Sequence, residues 1–229
     1  MLIDPDGRQI NINVGRNNEY TAEDFADYVH IDNLEAKDGK FVWTGNSEDY
    51  KKLDPNEKQI VDQVQGENTI VHDGKNYKLI VNAVVVRDDY IEGPHGESLG
   101  SVPGDSYKGI VFNEDGTAVA TQYFSLKVID DMRIANAINS NKAVAQHGLN
   151  EAITGAVDKC PDYDCAHGTT VKKYGFGYGY GYGYDKDLGA CKKIKGSDNN
   201  RSLIAIYNNQ GKITEKEIHR FTITQGGGH

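Results

Sequence analysis

Residues 69–86 read TIVHDGKNYKLIVNAVVV. Two runs, Thr69 to His72 and Tyr77 to Val86, flank Asp73-Gly74, a pair suited to the tight turn of a hairpin. Val81 to Val86 is rich in branched side chains, as a buried strand is. The pattern recurs downstream, where Gly109 to Phe112 and Thr117 to Leu126 flank Glu114-Asp115-Gly116. A loop carrying Gly93, Pro94, Gly96, Gly100, Pro103 and Gly104 separates the two hairpins. A further hairpin is predicted from Ser202 to Tyr207 and Lys212 to Thr224, around Asn208-Asn209-Gln210-Gly211.

Helices are predicted on either side of the middle hairpins. After a short strand at Ile10 to Val14, Thr21 precedes Ala22-Glu23-Asp24, a hydroxyl cap followed by acids in the first turn. Asp54-Pro55-Asn56-Glu57 sets a cap, a proline at the first helical position and an acid at the third, for a helix running to about Gln65 and ending at Gly66. About Asp130 to Val157 is mostly helical, divided near Asn139-Ser140-Asn141; Leu149, Ala152, Ile153 and Ala156 form an apolar stripe. A short helix is expected around Tyr163 to Thr170. The predicted fold class is α+β: an antiparallel sheet of hairpins packed against helices, one of them at about residues 141–157.

The chain has 229 residues, of which 38% are hydrophobic, enough for a single α+β domain over residues 9–225. Its net charge is −9, and lysines cluster only in pairs such as Lys51-Lys52, Lys172-Lys173 and Lys192-Lys193. A groove that tracks phosphates needs concentrated positive charge, so a nucleic-acid partner is not expected. No stretch approaches the ~18 apolar residues of a membrane span. Residues 1–20 lack the apolar core of a secretory signal. Residues 226–229, Gly-Gly-Gly-His, read as a tail, with an origin in an expression tag left open.

Three cysteines, Cys160, Cys165 and Cys191, are an odd number and not a disulfide framework. Free thiols or one incidental disulfide are expected, with Cys191 available to either of the other two. A Cys-x4-Cys spacing also suits zinc, but a second Cys/His pair at the usual spacing is missing. Residues 174–184, YGFGYGYGYGY, are the one low-complexity tract. It reads either as a mobile surface loop with sticky rings or as a flap facing a substrate or partner. No Gly-x-Ser-x-Gly elbow and no phosphate loop is present.

One segment can carry chemistry: Ala145-Gln146-His147-Gly148-Leu149-Asn150-Glu151-Ala152. His147 and Glu151 stand at i and i+4 and share a helical face about one turn apart, away from the apolar stripe. Imidazole and carboxylate are both zinc donors, and a catalytic zinc takes three protein ligands and leaves one position for water. His167, beyond the Cys160-Pro161 break, is the candidate third ligand. The competing reading makes His147, Glu151, Thr154 and Asp158 an ordinary solvated face.

Two stretches resemble known families. Met1 to Arg8, MLIDPDGR, resembles the motif that closes the core of Rhs/YD-repeat polymorphic toxins, after which a variable C-terminal toxin domain follows. Residues 1–8 would then end the core, and the rest would be an effector. Such effectors include domains that look like zincin metallopeptidases, whose helix reads His-Glu-x-x-Glu or His-Glu-x-x-His. His147, Glu151 and the downstream His167 match that pattern over about residues 143–168.

The resemblance implies a zinc-dependent peptidase, secreted or delivered into a target cell as part of a larger toxin. It also implies a role in competition between bacteria, a protein substrate in the target cell and a cognate immunity protein. One position departs. Gly148 stands where the family has the Glu that acts as general base, a role typically worth ~10²–10⁴-fold. The chain would then be weakly active or inactive. A substitution made for safe production, a natural pseudoenzyme and an accidental likeness all remain open. Two alternative functions stand beside this one. The first is a non-catalytic protein-interaction domain using the Tyr/Gly tract. The second is a cysteine-dependent toxin in which Cys160 or Cys191 works with His167.

Overall fold

A computed structural model describes residues 10–15, 18–66, 68–86, 90–92, 98–101, 105–134, 141–160, 162–174, 176–179, 182–185, 190–193, 201–207 and 213–220. The Rhs-like opening at 1–8, the tail at 226–229, most of the Gly/Pro loop between the hairpins and the Asn139-Ser140 break lie outside these residues.

The described chain is mixed α and β, with six helices and a seven-stranded main sheet. Both middle hairpins form. β4 (Thr69–His72) and β5 (Lys75–Val85) pair antiparallel around Asp73-Gly74, both at positive φ as a tight hairpin turn requires. β8 (Asp105–Phe112) and β9 (Thr117–Phe124) pair likewise. A third hairpin, not anticipated, joins β2 (Leu34–Lys37) to β3 (Lys40–Trp43) through Asp38-Gly39.

The sheet as a whole is mixed, not antiparallel throughout. Its order is β2-β3-β1-β5-β9-β8, with β4 beside β5. β1 (Ile10–Val14) runs parallel to β5, and β5 runs parallel to β9. Hairpins set only neighbours in sequence. The parallel ladders join strands separated by long crossovers, which local pattern does not encode.

The predicted helix starts form as capping boxes. Thr21 and Asp24 cap α1 (Ala22–Val29), and Asp54 and Glu57 cap α3 (Pro55–Val64) with Pro55 in the first turn. A short α2 (Ser47–Lys52), capped by Asn46, was not anticipated. α4 (Leu126–Ile134) begins where the second hairpin was expected to end. α5 (Asn141–Val157) and α6 (Tyr163–Tyr174) follow.

α5 lies across the sheet on β5, β8 and β9, and α1, α3, α4 and α6 surround its other sides. Small residues on the covered face, Ala83, Ala118 and Ala120, let it approach closely. Phe25, Phe41 and Phe124 cluster at one end of this core, with Phe25 and Phe124 ring centres 4.6 Å apart.

Beyond residue 174, β10 (Phe176–Gly179) pairs with β13 (Arg201–Tyr207), which pairs with β14 (Ile213–Arg220); β11 (Tyr182–Asp185) pairs with β12 (Ala190–Lys193). A small two-stranded ladder, β6 (Tyr90–Glu92) with β7 (Ser98–Ser101), lies between the middle hairpins. Much of the Tyr/Gly tract is therefore strand and not a plain loop.

Candidate metal centre

The expectation of a solvated face on α5 is overturned. His147, Glu151 and Thr154 are fully buried, and of that row only Asp158, past the end of the helix, is exposed. From Val144 to Ala156 the helix is enclosed on every side, so its polar residues there must find partners inside the protein. Two stripes do so differently. Gln146 donates to the Val29 carbonyl at 2.8 Å, Asn150 to the Asn56 carbonyl at 3.4 Å, and Thr154 accepts from Gln59 at 3.2 Å. His147 and Glu151 turn instead toward α6.

α6 is held in place from its start. Asp162 accepts from the Cys165 amide at 3.0 Å, as a cap does. A disulfide between Cys160 and Cys165 ties the end of α5 to the first turn of α6. Four residues into α6, His167 projects back at α5, with the Tyr163 ring stacked on its imidazole at 5.3 Å between centres. One disulfide was among the expected outcomes, and it joins Cys160 to Cys165, so Cys160 offers no free thiol to work with His167. The Cys191 side chain lies outside the described structure.

The three predicted ligands converge. His147 Nε2 lies 2.9 Å from His167 Nδ1 and 3.2 Å from Glu151 Oε2, and His167 Nδ1 lies 3.6 Å from the same oxygen. A tetrahedral ion with donors about 2.0 Å away would hold them about 3.3 Å from one another. The triangle is close to one face of that tetrahedron. Neither oxygen of Glu151 has a hydrogen-bond partner of sound geometry, although the residue is fully buried. A buried carboxylate left in this condition is costly, and a cation between it and the two imidazoles would satisfy it. The group could hold a metal ion, and among the described residues it is the one His/Cys/Asp/Glu cluster that could.

Electrostatics favour the ligating forms of His147 and Glu151. Burial holds the His147 imidazole below its ordinary range; Glu151 opposes this and His167 adds to it. Burial pushes the Glu151 carboxyl up, but the close-lying imidazoles of His147 and His167 outweigh it and keep it low. A neutral imidazole and an ionised carboxylate are what a metal requires.

Gly148 has a structural cause that the sequence did not reveal. A Cβ built there would lie 2.5 and 2.9 Å from the Phe124 ring and 2.8 Å from Asp105 Oδ2. A side chain at 148 has no room, so the helical penalty of glycine is accepted for packing. Asp105, Tyr107 and Gln122 carry no local sequence signal, yet all three are buried on the sheet face beneath α5. Burial pushes the Asp105 carboxyl well up, and the charge of Glu151 adds to it. Burial, with Glu151 again adding, pushes the Tyr107 phenol up to about 12. Strand alternation places Asp105 and Tyr107 on one face, but only the tertiary fold shows what that face meets.

No protein-family model, no curated protein and no solved structure matches this chain.

Proposed function

We propose that this domain is a zinc-dependent hydrolase of the metallopeptidase type, with His147, Glu151 and His167 as its ligands. One observation carries the reading: three buried donors from two helices form a triangle of 2.9, 3.2 and 3.6 Å, the size of a tetrahedral face. Two imidazoles and one carboxylate suit zinc better than magnesium or calcium, which favour all-oxygen sets. A structural zinc is usually closed by four protein ligands, whereas three leave a place for water. Bound there, zinc would supply a water ionised near neutral pH and a Lewis acid for a carbonyl oxygen.

The chain's own residues do the rest. His147 and Glu151 hold their geometry because α5 cannot rotate inside its enclosure. His167 is positioned by the disulfide-tied turn and the Tyr163 ring. The Rhs-like opening supports placing this activity in a toxin effector that acts on a protein in a target cell and is blocked by a cognate immunity protein.

Elemental analysis of protein purified without a histidine tag tests the ligand set. About one equivalent of zinc is expected in the wild type, and a large loss in His147→Ala and His167→Ala. Equal zinc content in all three proteins would refute it.

A further inference from the structure

Glycine at 148 leaves α5 with no side chain next to His147, where the zincin-like helix it resembles carries a carboxylate. The structure brings another carboxylate to the same place. Asp105 Oδ2 stands 2.8 Å from where a Cβ of residue 148 would be, on the first residue of β8, and the side chain is buried. Its partner on the sheet is Gln122, whose Nε2 donates to Oδ2 at 3.3 Å.

The surroundings are built for polar atoms. Gly148 and Gly155 lie seven residues apart, two turns along one face of α5, with Glu151 between them. Asp105 fills the space over Gly148. The Tyr107 ring, two residues along the same strand, fills the space over Gly155, 3.0 Å from where its Cβ would be. Tyr107 Oη and Gln122 Oε1 are buried with no hydrogen-bond partner, as are both oxygens of Glu151. Unsatisfied buried polar atoms from two paired strands and the helix above them thus share this part of the core. A core would not normally assemble them for stability alone, because each costs desolvation. A hydrolytic site needs such groups.

We propose that β8 supplies the proton-transfer group that α5 lacks: the Asp105 carboxylate, entering over Gly148, serves the reaction at the His147/Glu151/His167 centre. The proposal rests on the hydrolase reading above. Asp105 takes a proton from the attacking water as the water oxygen bonds to the substrate's carbonyl carbon. The carbon–nitrogen bond then breaks, and the proton passes to the leaving amine. Acid and amine are released, and the carboxylate is restored.

The test uses the whole chain loaded with Co(II), whose visible spectrum reports the ligand set, with acetohydroxamic acid as probe. A hydroxamic acid must give up its proton to a nearby base when it binds a metal. Asp105→Asn is expected to keep one equivalent of Co(II) and its spectrum. It should lose affinity for the probe by tenfold or more, and lose ~10²-fold or more in cleavage of fluorescent casein. Asp105→Ser, smaller and free of strain, should behave the same if the Asn protein folds poorly. Unchanged probe affinity in a folded variant overturns the proposal. So does loss of Co(II), which would make Asp105 a ligand instead. A wild type that binds no metal defeats the hydrolase reading itself, and this inference falls with it.

Discussion

Replacing Gly148 tests whether the glycine is a packing requirement or a lesion at a catalytic position. Ala at a helical interior normally gains about 1 kcal/mol over Gly. Here its Cβ would meet two atoms of the Phe124 ring and one carboxylate oxygen, all at 2.9 Å or less. Phe124 and Asp105 are themselves buried, so neither can swing away into solvent. Overpacking of this kind costs about 1–3 kcal/mol, and three simultaneous contacts put the site at the upper end. The net expectation for Gly148→Ala is a loss of about 1–2 kcal/mol, or roughly 2–8 °C in Tm for a chain of this size.

Gly148→Glu would add a carboxylate buried beside Glu151 and Asp105, at a further cost of several kcal/mol. It should yield little folded protein and no gain of activity. Gly168 on α6 is the control, because a Cβ there meets nothing within 4 Å. Gly168→Ala should raise Tm by a few degrees. The assay is thermal unfolding followed by circular dichroism on all four proteins. If Gly148→Ala raises Tm as Gly168→Ala does, or Gly148→Glu folds and hydrolyses, the packing account of Gly148 is wrong.

Gly155→Ala should also destabilise, since its Cβ would lie 2.9 Å from that of Ala166 and 3.0 Å from the Tyr107 ring. By prising α6 from α5 it should weaken zinc binding more than Gly168→Ala does, as calorimetric titration would show. Replacing Cys160 and Cys165 together by serine should cost about 2 kcal/mol from the short closed loop, read as a lower denaturation midpoint. It should also lower zinc affinity, because the turn that aims His167 is no longer tied. Glu57 gives a pH signature. Burial pushes its carboxyl up, but Lys142 at 2.6 Å and the Asp54 amide outweigh this and hold it below the ordinary range. Its stabilisation is therefore complete above the unfolded-state value near ~4.3 and is lost as pH falls through the lower folded value. Glu57→Gln should be less stable than wild type by about 1 kcal/mol at pH 7, with the gap closing toward pH 3 in urea melts.

Sequence carries local instructions well, and this chain shows where they stop. Asp54-Pro55-Asn56-Glu57 announces a helix because every group in a capping box lies within four residues. Asp73-Gly74 announces a hairpin for the same reason, and Asp38-Gly39 offered the identical signal for β2 and β3. The parallel neighbours β1, β5 and β9 left no such mark, since their pairing is decided by crossovers and burial. The spacing of His147 and Glu151 was readable, and His167 could be nominated as a third donor. That this face turns inward was not readable, because a helix buried all round has the composition of a mildly polar one. Asp105 was invisible for a related reason: an acid after a Gly/Pro loop looks like a turn residue until the helix above it is in place.

The enclosure of α5 has a consequence for how the chain tolerates change. An amphipathic helix on a surface accepts substitutions at every third or fourth position, where it faces water. From Val144 to Ala156 no residue of α5 is exposed. A saturation scan across this segment should therefore show an unbroken band of intolerance with no helical rhythm. Neutral variation would be confined to the flanks, at Asp158 and Lys159.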